Sequence, residues 1–279
     1  MKFDAGLRNV GIASDMFDYS IKPEFERKLR LFAEYGFEYI DWSDDWNTAI
    51  LYSKEIMEFY RQCIESCGLR CIGVHGVSSS SIHVEAEDDQ MFNKYVELLK
   101  NRVEFCSLVG GTVLVIHPPN VEGDSVRASR KLERSLRAFE GVRSLCGDLG
   151  ISLAVENCYP SDAESLEYYF ERYPPEFVGF CFDSGHAHVN GNFDRLLGFK
   201  DRLKALHLHD NGGREDDHQP PFFGTIEWER VMRWIGSAAY AKPINFEIVH
   251  KSKFFEDSME KFLEYCARSI QKAMALLNS

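Results

Sequence analysis

Short apolar runs alternate with longer amphipathic segments along the whole chain. Runs of four to six residues are typical of buried β-strands rather than of helices. Gly68, Gly110 and Gly150 stand where three of the longer segments end, as expected for helix termini. The predicted strands are Val10–Ser14, Tyr39–Trp42, Arg70–His75, Thr112–His117, Ser152–Glu156, Val178–Phe182, Ala205–His209 and Ile244–Ile248.

The amphipathic segments carry the signals of helices. In the first of them, Phe25, Leu29 and Phe32 recur at helical spacing. Pro23 stands near its start and Gly36 just past its end, which are helix start and stop signals. The clearest predicted helices are Pro23–Tyr35, Lys54–Cys67, Asp89–Val109, Arg127–Leu149 and Phe255–Leu277.

Repeated strand–helix units predict parallel strands joined by right-handed crossovers. Eight such units in 279 residues favour an α/β fold of the (β/α)8 TIM-barrel type. A doubly wound sheet is the alternative, but it usually has fewer strands. The first strand is followed by S-D-M-F-D rather than by the glycine-rich turn of dinucleotide-binding folds. Because no linker interrupts the pattern, we expect residues 1–279 to form a single domain.

Composition and charge reduce the number of possible functions further. The chain has 44 Asp and Glu against 32 Lys and Arg, which gives a formal charge of −12. A basic face for nucleic acid is therefore not expected, although a bound cation can reverse the field at one site. No run approaches 18 apolar residues and no secretory h-region is visible, so we expect a cytoplasmic protein without membrane partners. In that compartment the eight cysteines are expected to be reduced.

Acidic and imidazole side chains stand at the ends of six consecutive predicted strands. In a TIM barrel these ends line the mouth where active sites are built. Polar groups that converge there are costly to bury unless they pair or bind a cation. A mixed nitrogen and oxygen set suits a divalent ion such as Zn²⁺, Mn²⁺, Fe²⁺ or Co²⁺. The side chains are His75, His117, Glu156, Asp183 with His186, His207 with His209, and Glu247.

The loop after the seventh strand, residues 211–224, carries further candidates. Asp216 and His218 are two residues apart and could turn toward the mouth. A solvated polar loop is an equally good interpretation of the same residues.

The ordered motifs at these strand ends resemble the xylose-isomerase-like TIM barrels, the superfamily of sugar isomerases, epimerases and endonuclease IV. The resemblance extends from the third strand to the eighth. Its most specific parts are Val155-Glu156-Asn157, F-D-S-G-H at 182–186, H-L-H-D-N at 207–211, the loop 216–224, and Phe246-Glu247.

The resemblance implies one divalent ion, Zn, Mn, Co or Mg, as cofactor. Its implied ligands are Glu156, Asp183, His207 and Glu247. His207 is preferred over His209 because the family pattern reads H-L-x-D/E. Additional ligands of an endonuclease-like site with three ions would be His75, His117, His186, Asp216 and His218.

The first functional hypothesis is a metal-dependent isomerase or epimerase of a sugar or related polyol. The ion would stabilise an enediolate while Glu156 and Glu247 move the proton. The implied substrate contacts are His186, His188 and Arg214, with Trp42, Trp46 and Phe223 walling the pocket. Ordinary packing at the barrel rim is an equally good interpretation of the aromatic residues.

Three alternatives stay open at this point. An endonuclease IV-like enzyme would cut abasic-site DNA with three zinc ions, a dehydratase would expel a β-hydroxyl with the same ion and base, and a non-catalytic barrel would only bind. Acidic loops at residues 14–18 and 41–46 disfavour nucleic acid as a partner. Lys251 and Lys253 hint at an anionic group on the substrate. The resemblance also implies a homo-oligomer.

Overall fold

Eight strands form the centre of the computed structural model, which describes residues 7–17, 24–79, 82–122, 125–250 and 258–277. All eight strands lie within two residues of the predicted bounds at both ends. The strands are β1 Val10–Ala13, β2 Tyr39–Trp42, β3 Arg70–His75, β4 Val113–Ile116, β5 Ser152–Glu156, β6 Val178–Asp183, β7 Leu203–His207 and β8 Ile244–Phe246.

The strands follow one another around a single (β/α)8 TIM barrel in the order β7-β6-β5-β4-β3-β2-β1-β8. Neighbouring strands are parallel, and β1 pairs with both β2 and β8. The ring closes where Leu208 bridges Phe246 and where the Asn245 side-chain amide donates to the Leu206 carbonyl at 3.1 Å. This topology confirms the predicted fold class.

Strand β7 begins and ends two residues earlier than the predicted segment Ala205–His209. Leu203 already pairs with Phe180 of β6, which fixes the start of the strand. After His207 the chain leaves the continuous ladder, and Asp210 pairs antiparallel with Gln219 of the following loop. His207 is therefore the last residue of the strand, and His209 lies beyond it.

Helices cover the outside of the barrel. The predicted starts at Pro23 and Phe255 lie outside the described residues. Among the described residues, no helix is long and apolar enough to cross a membrane. The helices are α1 Phe25–Glu34, α2 Lys54–Ser66, α3 Asp89–Leu108, α4 Ser125–Leu149, α5 Asp162–Phe170, α6 Ser184–Val189, α7 Phe193–Leu196, α8 Trp228–Ser237 and α9 Met259–Met274, with a 3-10 turn at Leu197–Arg202.

Two apolar layers pack against the strands. The larger layer lies between barrel and helices, where Phe182 of β6 packs on Trp234 of α8 at 4.8 Å between ring centroids. The eight cysteines are free thiols, and most of them are buried in these layers. The smaller cluster fills the barrel lumen with compact side chains, which are Val113, Val115, Ala154, Cys181 and Ala205.

A buried ion pair ties the first helix to the barrel. The ammonium nitrogen of Lys28 in α1 lies 2.7 and 2.8 Å from the two carboxylate oxygens of Asp44, which follows β2. Lys28 is 1% exposed, so Asp44 would keep a buried, poorly compensated charge if the ammonium were removed.

We therefore expect Lys28→Met to lower the free energy of unfolding by about 3–5 kcal/mol. The double variant Lys28→Met/Asp44→Leu should recover most of this loss, because neither charge is then left buried. Urea unfolding followed by circular dichroism measures both values. Arg27→Met is the control, since the exposed Arg27–Glu260 pair should contribute about 1 kcal/mol or less. Equal losses for Lys28→Met and Arg27→Met would contradict the expectation.

Candidate metal centre

The strands place a polar side chain above a compact one at six neighbouring positions of the barrel. Side chains two residues apart on a strand share one face, so both members of each pair point into the lumen. The compact member fills the barrel, and the polar member stands one layer higher, at the mouth. The pairs are Gly73 and His75, Val115 and His117, Ala154 and Glu156, Cys181 and Asp183, Ala205 and His207, and Asn245 and Glu247.

Glu156 lies at the centre of this layer and is 1% exposed. Its Oε2 atom lies 3.2 Å from His207 Nδ1, 3.5 Å from His117 Nε2 and 3.7 Å from His75 Nε2. Its Oε1 atom lies 3.2 Å from His186 Nδ1. One buried carboxylate therefore faces four imidazoles that come from different strand ends.

His207 is held from both sides of its ring. Its Nδ1 atom faces Glu247 Oε2 at 3.0 Å as well as Glu156. Its Nε2 atom makes a 3.2 Å hydrogen bond with Asp41 Oδ2 on β2. A carboxylate on the outer nitrogen of an imidazole is a common way to orient a metal ligand. Asp41 therefore directs Nδ1 into the centre of the mouth.

The loop after β7 turns inward and brings two more candidates to the same place. His218 Nε2 lies 2.8 Å from Asp216 Oδ2, and His186 Nε2 lies 3.3 Å from the same oxygen. His218 Nδ1 also makes a 3.0 Å hydrogen bond with the Glu247 carbonyl oxygen. In the structure the loop turns Asp216 and His218 toward the mouth, and it is not a solvated polar loop at these two residues.

Asp210 anchors the base of this loop. Its Oδ2 atom accepts hydrogen bonds from the Phe222 backbone at 2.9 Å and from the Trp228 indole at 2.8 Å. Its Oδ1 atom accepts from the backbone of Asn211 and Ile226. A single buried carboxylate thus satisfies donors from both ends of the loop and fixes the path of the segment between them.

Among the possible ligand groups are three made of nitrogen and oxygen atoms, within each of which these atoms lie no more than 4.8 Å apart. All three lie at the mouth of the barrel and are linked through Glu156, whose two oxygens face histidines of each. The groups are His75 with His117 and Glu156, His75 with His207 and Glu247, and His186 with Asp216 and His218.

The pKa values of the imidazoles reflect a competition between burial and the nearby acidic groups. Burial alone would lower the pKa of His207, but the Cys181 thiol and the carboxylates of Glu247 and Glu156 hold it well above its ordinary value. At His117 burial prevails and lowers the pKa to about 4, which leaves a neutral imidazole able to bind a metal.

The donor set fits a divalent ion. Glu156 Oε2, His186 Nδ1 and His207 Nδ1 are buried and have no hydrogen-bond partner within the described part of the chain. Buried polar atoms of this kind require an explanation such as an ion. Imidazole nitrogens with carboxylate oxygens suit Zn²⁺, Mn²⁺ or Co²⁺ better than Ca²⁺.

The predicted substrate contacts are not all brought together. His188 lies apart from the ligand groups, because its Nε2 atom is 2.8 Å from Thr225 Oγ1 beside a separate cavity of about 320 Å³. Arg214 is exposed on the loop after β7. Phe223, 39% exposed, packs on Tyr265 with 4.4 Å between the ring centroids.

Trp42 and Trp46 lie in different parts of the structure. Trp42 is fully buried between barrel and helices, where its ring lies 5.1 Å from that of Phe105. Trp46 is at the mouth, with its ring 5.4 Å from His75 and 5.6 Å from His117. Trp46 thus covers His75 and His117.

The sequence interpretation missed three groups at the mouth. Asp41 bonds His207, Cys158 lies in a group with Glu156 and His186, and Cys181 lies in a group with Glu156 and His207. The signal was available for Cys181, which lies two residues before Asp183 on β6 and therefore shares its face. Asp41 is the next to last residue of β2.

Comparison with known proteins places this barrel in a family. The family model for xylose isomerase-like TIM barrels matches residues 29–266. The uncharacterized protein y4fM of Sinorhizobium fredii is 32% identical over 247 residues, and the match covers 78% of this chain and 79% of that protein. The probable endonuclease 4 of Bacillus subtilis is 23% identical over 274 residues, and the match covers 78% of this chain and 90% of that protein.

Solved structures give the same result for the fold. A D-psicose 3-epimerase structure determined in the presence of D-fructose has a TM-score of 0.76 at 14% identity and covers 97% of this chain and 99% of that one. An L-ribulose 3-epimerase has a TM-score of 0.74 at 16% identity and covers 96% and 95%. With the family match over most of the barrel, these findings show that the chain belongs to the xylose isomerase-like TIM barrels.

Proposed function

We propose that the protein is a divalent-metal-dependent isomerase or epimerase of a sugar or sugar-like polyol. The ion would be held by Glu156, Asp183, His207 and Glu247. The observation that carries the proposal is the pair of carboxylates at His207: Glu156 and Glu247 approach Nδ1 at 3.2 and 3.0 Å from β5 and from the end of β8. Two carboxylates beside one ion position, one to remove a proton and one to return it, are what the reaction requires.

In the proposed reaction the ion and the side chains would have different roles. A divalent ion polarises a carbonyl and the adjacent hydroxyl, and so stabilises the charge that proton removal creates. One carboxylate of the Glu156 and Glu247 pair takes the proton, and the other returns it to the opposite face or to the neighbouring carbon. His186, partly exposed above Glu156, would bind a substrate oxygen. Trp46 would exclude water from the ligands.

The charge around the mouth supports a small uncharged substrate. Asp15 is partly buried two residues beyond β1, where desolvation together with Glu247 raises its pKa to about 6. Asp41 and Asp45 follow on β2 and its loop. Clustered carboxylates repel a phosphate backbone, whereas a neutral polyol can bind among them through hydrogen bonds. The solved neighbours named as epimerases include one determined with D-fructose and one in complex with D-allulose.

A specific observation also favours a second candidate function. The three ligand groups joined at Glu156 could hold several ions, and ions on both sides of a phosphorus atom stabilise the attacking and leaving oxygens of a phosphodiester. Relatives such as that of Bacillus subtilis are named probable endonuclease 4. A dehydratase with the same ion and base is a variant of the first proposal. The two following substitutions separate these functions.

Glu247→Gln is expected to reduce turnover of the keto sugar that the enzyme accepts by about 10²–10⁴-fold, because it removes a carboxylate that moves the proton. Chromatography of a ketose panel incubated with Mn²⁺ measures the products. Glu229→Gln on the exposed side of α8 is the matched control and should keep the wild-type rate. A wild-type rate in natively folded Glu247→Gln would rule out the role of this residue.

Asp216→Ala is expected to keep one tightly bound ion and to change ketose turnover by no more than about tenfold, because Asp216 lies outside the proposed ligand set. Elemental mass spectrometry counts the ions, and nicking of duplex DNA with an abasic site tests the second function. Wild-type protein with about three zinc ions and nicking activity, both lost in Asp216→Ala, would replace the epimerase proposal with the phosphodiesterase one.

Asp41→Leu is expected to weaken Mn²⁺ binding by about 10–100-fold, because His207 Nε2 loses the acceptor that orients the ring. Asp41→Asn retains an acceptor oxygen and should lose less. Competition with a fluorescent chelator measures the dissociation constants, and circular dichroism checks the fold. Unchanged affinity in folded Asp41→Leu would show that His207 does not depend on Asp41.

A further inference from the structure

His209 is a buried histidine next to the ligand groups that the proposed function leaves without a role. It is fully buried, two residues beyond the end of β7. Its Nε2 atom makes a 3.1 Å hydrogen bond with Asp183 Oδ2 and lies 3.6 Å from Asp216 Oδ1. Its Nδ1 atom has no hydrogen-bond partner in the described part of the chain. The polar contacts of the ring therefore all pass through Nε2.

Ser184 and Gly185, the two middle residues of the D-S-G-H motif, contact His209 and fix its position. The Ser184 hydroxyl accepts from the His209 backbone nitrogen at 3.0 Å and donates to its carbonyl oxygen at 2.8 Å. Gly185 leaves room for the ring, since a Cβ atom there would lie 1.8 Å from His209 Cε1. On its other side the ring stacks on His218 with 3.9 Å between centroids. Position and orientation of the ring are thus fixed on every side.

We propose that His209 is a positioning residue that orients the carboxylate of Asp183 toward the metal. The other oxygen of Asp183, Oδ1, accepts a 2.6 Å hydrogen bond from the His186 backbone nitrogen. With a donor on each oxygen the plane of the carboxylate is fixed, and each oxygen keeps a lone pair that can bind an ion. Hydrogen bonds to a ligating carboxylate typically affect metal affinity by about 10–100-fold. The inference depends on the metal-binding part of the proposed function, but on no particular substrate.

The test compares two substitutions in the full chain after removal of metal. His209→Phe keeps a ring of similar size but lacks the donor, whereas His209→Gln has an amide donor near the position of Nε2. In titrations with Mn²⁺ against a chelator, His209→Phe should bind the first ion about 10–100-fold more weakly, and His209→Gln should restore most of the affinity. The thermal midpoint of both metal-free variants should stay close to that of the wild type. Wild-type affinity in His209→Phe, or equal losses in both variants, would overturn the proposal.

A double-mutant cycle of thermal stability tests the contact between Gly185 and His209 without any metal. Gly185→Ala should lower the thermal midpoint by about 5 °C in the presence of His209, because the new methyl group collides with the ring. In the background His209→Ala the same change should have a much smaller effect. Equal shifts in both backgrounds would show that the ring does not occupy the space above Gly185, and would overturn the proposal. Wild-type protein that binds no Mn²⁺ would defeat the proposed function, and the cycle would still decide whether Gly185 and His209 are coupled.

Discussion

The buried carboxylate of Glu156 is the constraint on which the rest of the mouth depends. A charge that is 1% exposed must be balanced nearby, and four imidazole nitrogens within 3.7 Å provide the means. Burial would raise the pKa of Glu156, but the surrounding imidazoles, His207 foremost, hold it well below its ordinary value. Either protons or a divalent ion can supply the positive charge, so they compete for the same atoms. Metal affinity should therefore rise with pH as the imidazoles lose their protons.

The depth of this layer is set by the lumen beneath it. Compact residues such as Ala154, Cys181 and Ala205 fill the barrel just below the ligands. Larger residues there would have no space in a packed lumen, because interiors are already close to crystal density. The loop after β7 closes the remaining side, and the carboxylate of Asp210 holds both ends of that loop. Ligands from distant segments thus meet because the scaffold leaves each of them a single position.

Periodicity in the sequence was sufficient to predict the barrel and most of the mouth. The strand ends were visible because apolar runs stop at a polar residue, and Glu156 and Asp183 stand at such stops. Side chains alternate between the two faces along β2, so an outward Trp42 requires an inward Asp41. The prediction did not use this information. The hydrogen bond between Asp41 and His207 joins residues 166 positions apart, and no local pattern reports such a contact. The role of His209 depends in the same way on where the chain leaves β7.

The number of bound ions decides which chemistry the mouth can perform. Glu156, Asp183 and Glu247 at the strand ends and Asp216 on the loop after β7 bring four carboxylates, each with one negative charge, to the mouth. A single divalent ion offsets half of them, and the remaining field repels phosphate but tolerates an uncharged polyol. Three ions would reverse the sign of the field and attract phosphate. The epimerase and phosphodiesterase proposals therefore do not differ in fold or in most side chains. They differ in whether His75, His117, Asp216 and His218 hold ions of their own or position the ligands of one.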